Sequence, residues 1–219
     1  MPAAENPEGK VGFPMLRQPA QAMLIDLDGV LRRWDPTVPA AVEQSYGLAP
    51  GTLLGTAMSW DLLRPAVAGE ITDAEWMQLV ASRLALPAEE ARKAVTEWQQ
   101  HRGTVDPEVL AFVREVRAAG RPVGLATNAT DLLRGDLEEL GLTDEFDAVV
   151  SSYELKVHKP APEFFEQACA ALQIEPPWVL FVDDDDRAVR GARAAKLPSL
   201  RWSGPQDIPY LRKALALPA

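Results

Sequence analysis

A parallel α/β sheet interrupted by a separate helical insert is the fold class this sequence predicts, and three observations carry the prediction. Short apolar runs alternate with helical patterns from Thr104 to Ala216. Residues 36–103 show no strand pattern at all. The apolar runs end in acids, a hydroxyl or a lysine, and in an open α/β sheet ligands bind at the carboxyl ends of the strands. Strands alternating with helices imply βαβ units, and so a doubly wound sheet with helices on both faces. A chain of 219 residues can bury a core of this size and still carry an insert.

Residues 1–20 carry Pro2, Pro7, Pro14 and Pro19 and no apolar stretch of the secretory kind, so they read as a loose tail. The central segment is Ala22–Val30, Ala-Met-Leu-Ile-Asp-Leu-Asp-Gly-Val. Its apolar start suits a strand buried on both faces. Asp26 and Asp28 are two residues apart, which on an extended chain puts both carboxylates on one side. Two like charges so placed repel unless a cation lies between them, and Mg²⁺ is the natural one for oxygen ligands. Gly29 permits a sharp turn where the strand ends.

Residues 36–103 read as a helical cap between two parts of a core, 21–35 and 104–219. Helices are expected at Ala40–Gly47, Gly51–Met58 and Trp60–Ala68. A fourth follows the Thr72-Asp-Ala-Glu75 capping box, and a fifth runs from Pro87 to about His101. Trp60, Trp76 and Trp98 read as the core of this insert. Beyond it, Asp106-Pro107 caps a helix that Gly120 ends. Strands follow at Pro122–Thr127, Asp147–Ser151, Trp178–Val182 and Ser199–Trp202. Helices lie between and after them at Asp131–Leu140, Pro160–Leu172, Arg187–Lys196 and Gln206–Ala216.

Composition excludes several classes. The net charge of −10 argues against a nucleic-acid or anionic-membrane partner. No apolar run reaches the length of a transmembrane helix. Cys169 is the only cysteine, so no intrachain disulfide can form and a reducing compartment, the cytoplasm, is expected.

Polar groups collect at the later strand ends. Thr127-Asn128 offers a hydroxyl and amides for an anion, Lys159-Pro160 an ammonium, and Asp183-Asp184-Asp185-Asp186 a set of acids that calls for a cation. Asp185 and Asp186 suit a helix N-terminus instead. His158 reads as a solvated loop residue. Arg32, Arg33 and Trp34 either face substrate or cover the sheet edge, and Lys156 has the same two readings.

Asp26-Leu-Asp28-Gly-Val30, then Thr127-Asn128, Lys159-Pro160 and Phe181-Val-Asp183-Asp184, in that order and spacing, resemble the haloacid-dehalogenase superfamily of hydrolases. The resemblance spans about Ala22 to Trp202, and the insert is similar to that family's C1-type cap over a Rossmann-like core. It implies Asp26 as nucleophile and Asp28 as general acid and base. Mg²⁺ would be held by Asp26, the Asp28 backbone carbonyl and Asp184, with Asp183 a ligand or bound through water. Thr127 and Lys159 would hold the phosphoryl oxygens, and Asn128 would orient the phosphate through its side chain or backbone. Ala188 departs from the Asn or Asp often found there, which puts a supporting tie to the metal site in doubt.

The expected activity is Mg²⁺-dependent hydrolysis of a small phosphorylated metabolite through an aspartyl-phosphate. The alternatives are a 2-haloacid dehalogenase or a phosphomutase of the same superfamily. In another class, a phosphoacceptor receiver module uses similar residues, but it normally lacks an insert of this size.

Overall fold

The computed structural model describes residues 18–217, so nearly all of the expected proline-bearing tail lies outside the described residues. Five parallel strands form the sheet: β1 (Ala22–Ile25), β4 (Val123–Thr127), β5 (Ala148–Ser151), β6 (Val179–Asp183) and β7 (Ser199–Arg201). Their order across the sheet is β5-β4-β1-β6-β7. β1 is therefore central, with Met23 opposite both Val123 and Leu180.

Strand alternation assigns β1 to two cores. Met23 and Ile25 pack with Phe112, Val113 and Val116 of α6 (Pro107–Ala118), and with α7 (Leu133–Glu139) and α11 (Ile208–Ala214). Ala22 and Leu24 face α9 (Pro162–Leu172) and α10 (Asp186–Ala194). There Phe165 meets Phe164 and Phe181 edge to face, at centroid distances of 5.7 and 5.2 Å. Burying each such ring contributes about 1.5–3 kcal/mol. The doubly wound sheet with an inserted cap, expected from alternation, is thus observed.

The insert is helical: α1 (Thr37–Ser45), α2 (Thr52–Ala57), α3 (Trp60–Val67), α4 (Asp73–Arg83) and α5 (Ala88–Gln99). The Thr72–Glu75 capping box forms in both directions at the start of α4. These helices share a third apolar cluster of their own, built on Leu53, Ala66, Val80 and Ala94. One element escaped the sequence reading. β2 (Arg32–Arg33) pairs antiparallel with β3 (Thr104–Val105), so both ends of the insert leave the core through one short ribbon. Two residues per strand are too few for a periodicity to show. A single helical turn, α8 (Ser152–Leu155), also follows β5 unannounced. Among the described residues no helix is long and apolar enough to cross a membrane.

Candidate active site

Asp26 follows β1 directly, and its N–H donates to Val182 O at 2.9 Å, tying it to β6. Thr127 and Asp183 are the last residues of β4 and β6, and both are buried. Lys159 comes from the loop between α8 and α9 and is also buried. Its ammonium donates to Asp183 Oδ2 at 2.6 Å and lies 2.8 Å from Asp26 Oδ1. The second approach is an ion pair whose geometry falls short of a hydrogen bond, so Asp26 Oδ1 is buried without a donor.

Burial is the largest influence on these acids. It raises Asp26 from 3.8 to about 7, with Asp183 and Asp28 adding to the rise and Lys159 opposing it. Asp183 is also raised by burial, against Lys159, and Asp184 by burial and then by Asp26. Burial pulls Lys159 down, but the two carboxylates together outweigh that and its value ends above the ordinary one. Carboxylate oxygens of Asp26, Asp183 and Asp184 lie within 4.8 Å of one another. When ionised they outnumber the single ammonium, and one oxygen of Asp26 has no hydrogen bond. A hard divalent cation fits this donor set. Gly29 adds a steric condition: its φ is +79°, and a Cβ there would run into the Asp184 carboxylate. Only glycine meets both demands cheaply.

Asp28 departs from the reading of its spacing. β1 stops at Ile25, so strand alternation does not extend to Asp28, and its carboxylate is not in the acidic cluster. Nor is that side chain free. Oδ1 accepts from Arg32 Nε at 2.7 Å and Trp34 Nε1 at 2.6 Å, and Oδ2 from Arg32 Nη2 at 2.9 Å. Arg32 in turn donates to buried Asp136 at 2.6 Å, which Arg102 also grips. Nothing in the sequence signals Asp136, which lies 104 residues from Arg32.

Asn128 differs as well. Its Oδ1 accepts from Lys159 N at 2.8 Å and its Nδ2 donates to Lys159 O at 3.1 Å. Its side chain holds the Lys159 backbone, which leaves only its main chain for a phosphate. Asp185 caps α10 by accepting from Arg187 N, and Asp186 pairs with Arg190, as the helix-terminus reading expected. Ala188 is buried on α10. Arg33 pairs with Asp106, and Lys156 donates to Gly69 O in the insert at 2.6 Å. His158 is half-buried, with Nδ1 2.9 Å from Lys159 O and its ring edge-on to Trp60. It is not a solvated loop residue.

A cavity of about 1000 Å³ opens between the insert and these strand ends. Asp26, Asp28, Thr127, Asn128, Lys159, Asp183 and Asp184 all line it, so the structure brings these seven residues to one cavity, with the Asp28 carboxylate outside the acidic cluster. Trp76 and Trp98 join the insert's apolar cluster, but Trp60 stands half-exposed at the cavity.

The model of the haloacid dehalogenase-like hydrolase family matches residues 20–196. The chain belongs to this family. A phosphoserine phosphatase of Thermus thermophilus is 34% identical over 52% of this chain and 49% of its own. An (S)-2-haloacid dehalogenase of Pseudomonas is 29% identical over 46% and 45%. A phosphoglycolate phosphatase of Cereibacter sphaeroides is 31% identical over 80% and 81%. The chain thus spans about half the length of the first two relatives and most of the third. Among solved structures, a haloacid-dehalogenase-family enzyme of Bacteroides thetaiotaomicron, in complex with magnesium and inorganic phosphate, superposes with a TM-score of 0.65 at 20% identity. It covers 83% of this chain and 93% of that one. Family membership sets the receiver module aside.

Proposed function

We propose that this protein is a Mg²⁺-dependent phosphatase acting on a small phosphorylated molecule through an aspartyl-phosphate on Asp26. The observation that carries the reading is a buried carboxylate whose Oδ1 accepts no well-formed hydrogen bond but lies 2.8 Å from the Lys159 ammonium, beside two further acids. Phosphatase relatives and a magnesium- and phosphate-bound neighbour support it. Asp26 and Asp184, with Asp183 beside them, would hold one Mg²⁺, whose charge neutralises phosphoryl oxygens and keeps Asp26 ionised.

Asp26 attacks phosphorus, the P–O bond to the leaving group breaks, and Asp28 supplies the proton that the leaving oxygen takes. Asp28 then accepts a proton from water, which attacks the aspartyl-phosphate at phosphorus and releases phosphate and free Asp26. Lys159 and Thr127 hold the transferring oxygens. Arg32 donates to both oxygens of Asp28 and Trp34 to one of them, so in its acid form one oxygen carries the proton and accepts from these donors at once.

A 2-haloacid dehalogenase, favoured by one relative, would leave the acids around Asp184 without a use, since that reaction needs no metal. Cys169 is buried and unpaired, in keeping with the cytoplasm as the compartment we propose. Release of phosphate from an aryl phosphate that requires Mg²⁺ supports the reading, and halide release from 2-haloacids without metal overturns it. Asp184→Ala should lose Mg²⁺ binding by calorimetry while its thermal midpoint holds. Unchanged binding would remove Asp184 from the metal site.

A further inference from the structure

We infer that the substrate carries a bulky apolar group on its phosphate ester, seated against Trp60, Trp34, Leu54 and Met58. This rests on the phosphatase reading and adds a substrate class to it. Among the described residues seven large apolar side chains are exposed, and four of them line the cavity between the insert and the catalytic floor: Trp34 43%, Leu54 42%, Met58 47% and Trp60 46% exposed. Single exposed apolar residues need no explanation, but a contiguous set does. They come from three segments, the residue after β2, α2 with its end, and the start of α3. Trp76 and Trp98 extend the same wall.

The wall begins where a leaving group would emerge. The Trp60 ring stands edge-on to His158, centroids 5.3 Å apart, and His158 is the neighbour of Lys159. An ester whose phosphoryl group reaches Lys159 therefore extends its organic part past Trp60.

The charges of the cavity point the same way. Its arginines and lysine are already held by carboxylates: Arg32 by Asp28 and Asp136, Arg102 by Asp136, Arg33 by Asp106, and Lys159 by Asp26 and Asp183. A substrate carboxylate would have to break one of these pairs to find a guanidinium or ammonium, which leaves the His101 imidazole as the cavity's remaining basic side chain. Gln99 and Thr130 are also engaged, both donating to Asp73. A cavity of about 1000 Å³ with such walls gains most by desolvating a large apolar group.

The test is kcat/KM with Mg²⁺ for n-alkyl phosphates from ethyl to octyl, beside phosphoglycolate. The leaving alkoxides are chemically alike, so chain length reports the cavity alone. The expected rise is about twofold to fourfold per methylene, the upper figure being complete burial of a CH₂. Octyl phosphate should exceed the two-carbon esters, phosphoglycolate among them, by roughly 10²-fold or more, the product of about six such steps. Trp60→Ala should flatten the slope and Trp60→Phe should restore much of it, which general loosening of the fold would not do. A flat or falling series, a preference for phosphoglycolate, or an unchanged slope in Trp60→Ala overturns this inference and leaves the phosphatase standing. No hydrolysis of any ester overturns both.

Discussion

Asp26→Asn is expected to lower turnover by roughly 10⁴-fold or more, the scale seen when a nucleophile is removed, while the protein stays folded. The amide keeps the shape of the side chain but cannot displace an alkoxide from phosphorus. Stability should hold because the replaced group is poorly placed as a charge: burial raises Asp26 to about 7, so ionising it there works against folding. Lys159 keeps Asp183 as its partner, at 2.6 Å. The check pairs steady-state rates with thermal unfolding, and Asp26→Ala should behave alike in the assay. Residual turnover within tenfold of the parent would mean that a different group attacks.

Lys159→Met should cost both activity and stability. One lost donor to developing phosphoryl charge is worth about 10²- to 10³-fold in kcat. The same change leaves Asp26 and Asp183 buried without their counter-charge, a loss of about 3–5 kcal/mol when a buried pair is broken by deleting one partner. The two acids can escape part of that by taking protons, which makes the deficit depend on pH. In metal-free buffer an acid whose folded value lies above its unfolded one favours the native state at low pH. It withdraws that support as pH rises through the folded value, for Asp26 from 3.8 toward about 7. Without Lys159 both acids move higher still, because its attraction is what holds them down. The gap in thermal midpoint between variant and parent should therefore widen as pH rises through and above about 7, where Asp26 of the parent has ionised and that of the variant has not. A gap that narrows over that range would show that Lys159 does not hold these carboxylates.

The sheet and the motifs at the ends of β1, β4 and β6 were legible because their signals are local, whereas Lys159 lies beyond the α8 turn that separates it from β5. Alternation, a capping box and an acid after an apolar run each lie within one short window. What escaped was long-range or too short. The β2–β3 ribbon has two residues per strand and brings together positions more than seventy apart. The grip of Asn128 on the Lys159 backbone crosses 31 residues. Strand alternation extended past Ile25 puts the Asp28 carboxylate beside that of Asp26, but the strand has already ended there. Trp60 sits at helical spacing like a core residue, and only the packing of α3 against the rest shows that it faces the cavity. Periodicity identifies an apolar face without saying what covers it.

The central claim is that Asp26 becomes phosphorylated and is then freed by water. Rapid acid quench during turnover of an aryl phosphate with Mg²⁺, followed by intact mass and peptide mapping, tests it most directly. The account predicts a transient gain of one phosphoryl group on the peptide containing Asp26, absent in Asp26→Asn and longer-lived in Asp28→Asn. Phosphate release at the parent rate with no labelled chain at any quench time, or a label on another residue, would contradict it.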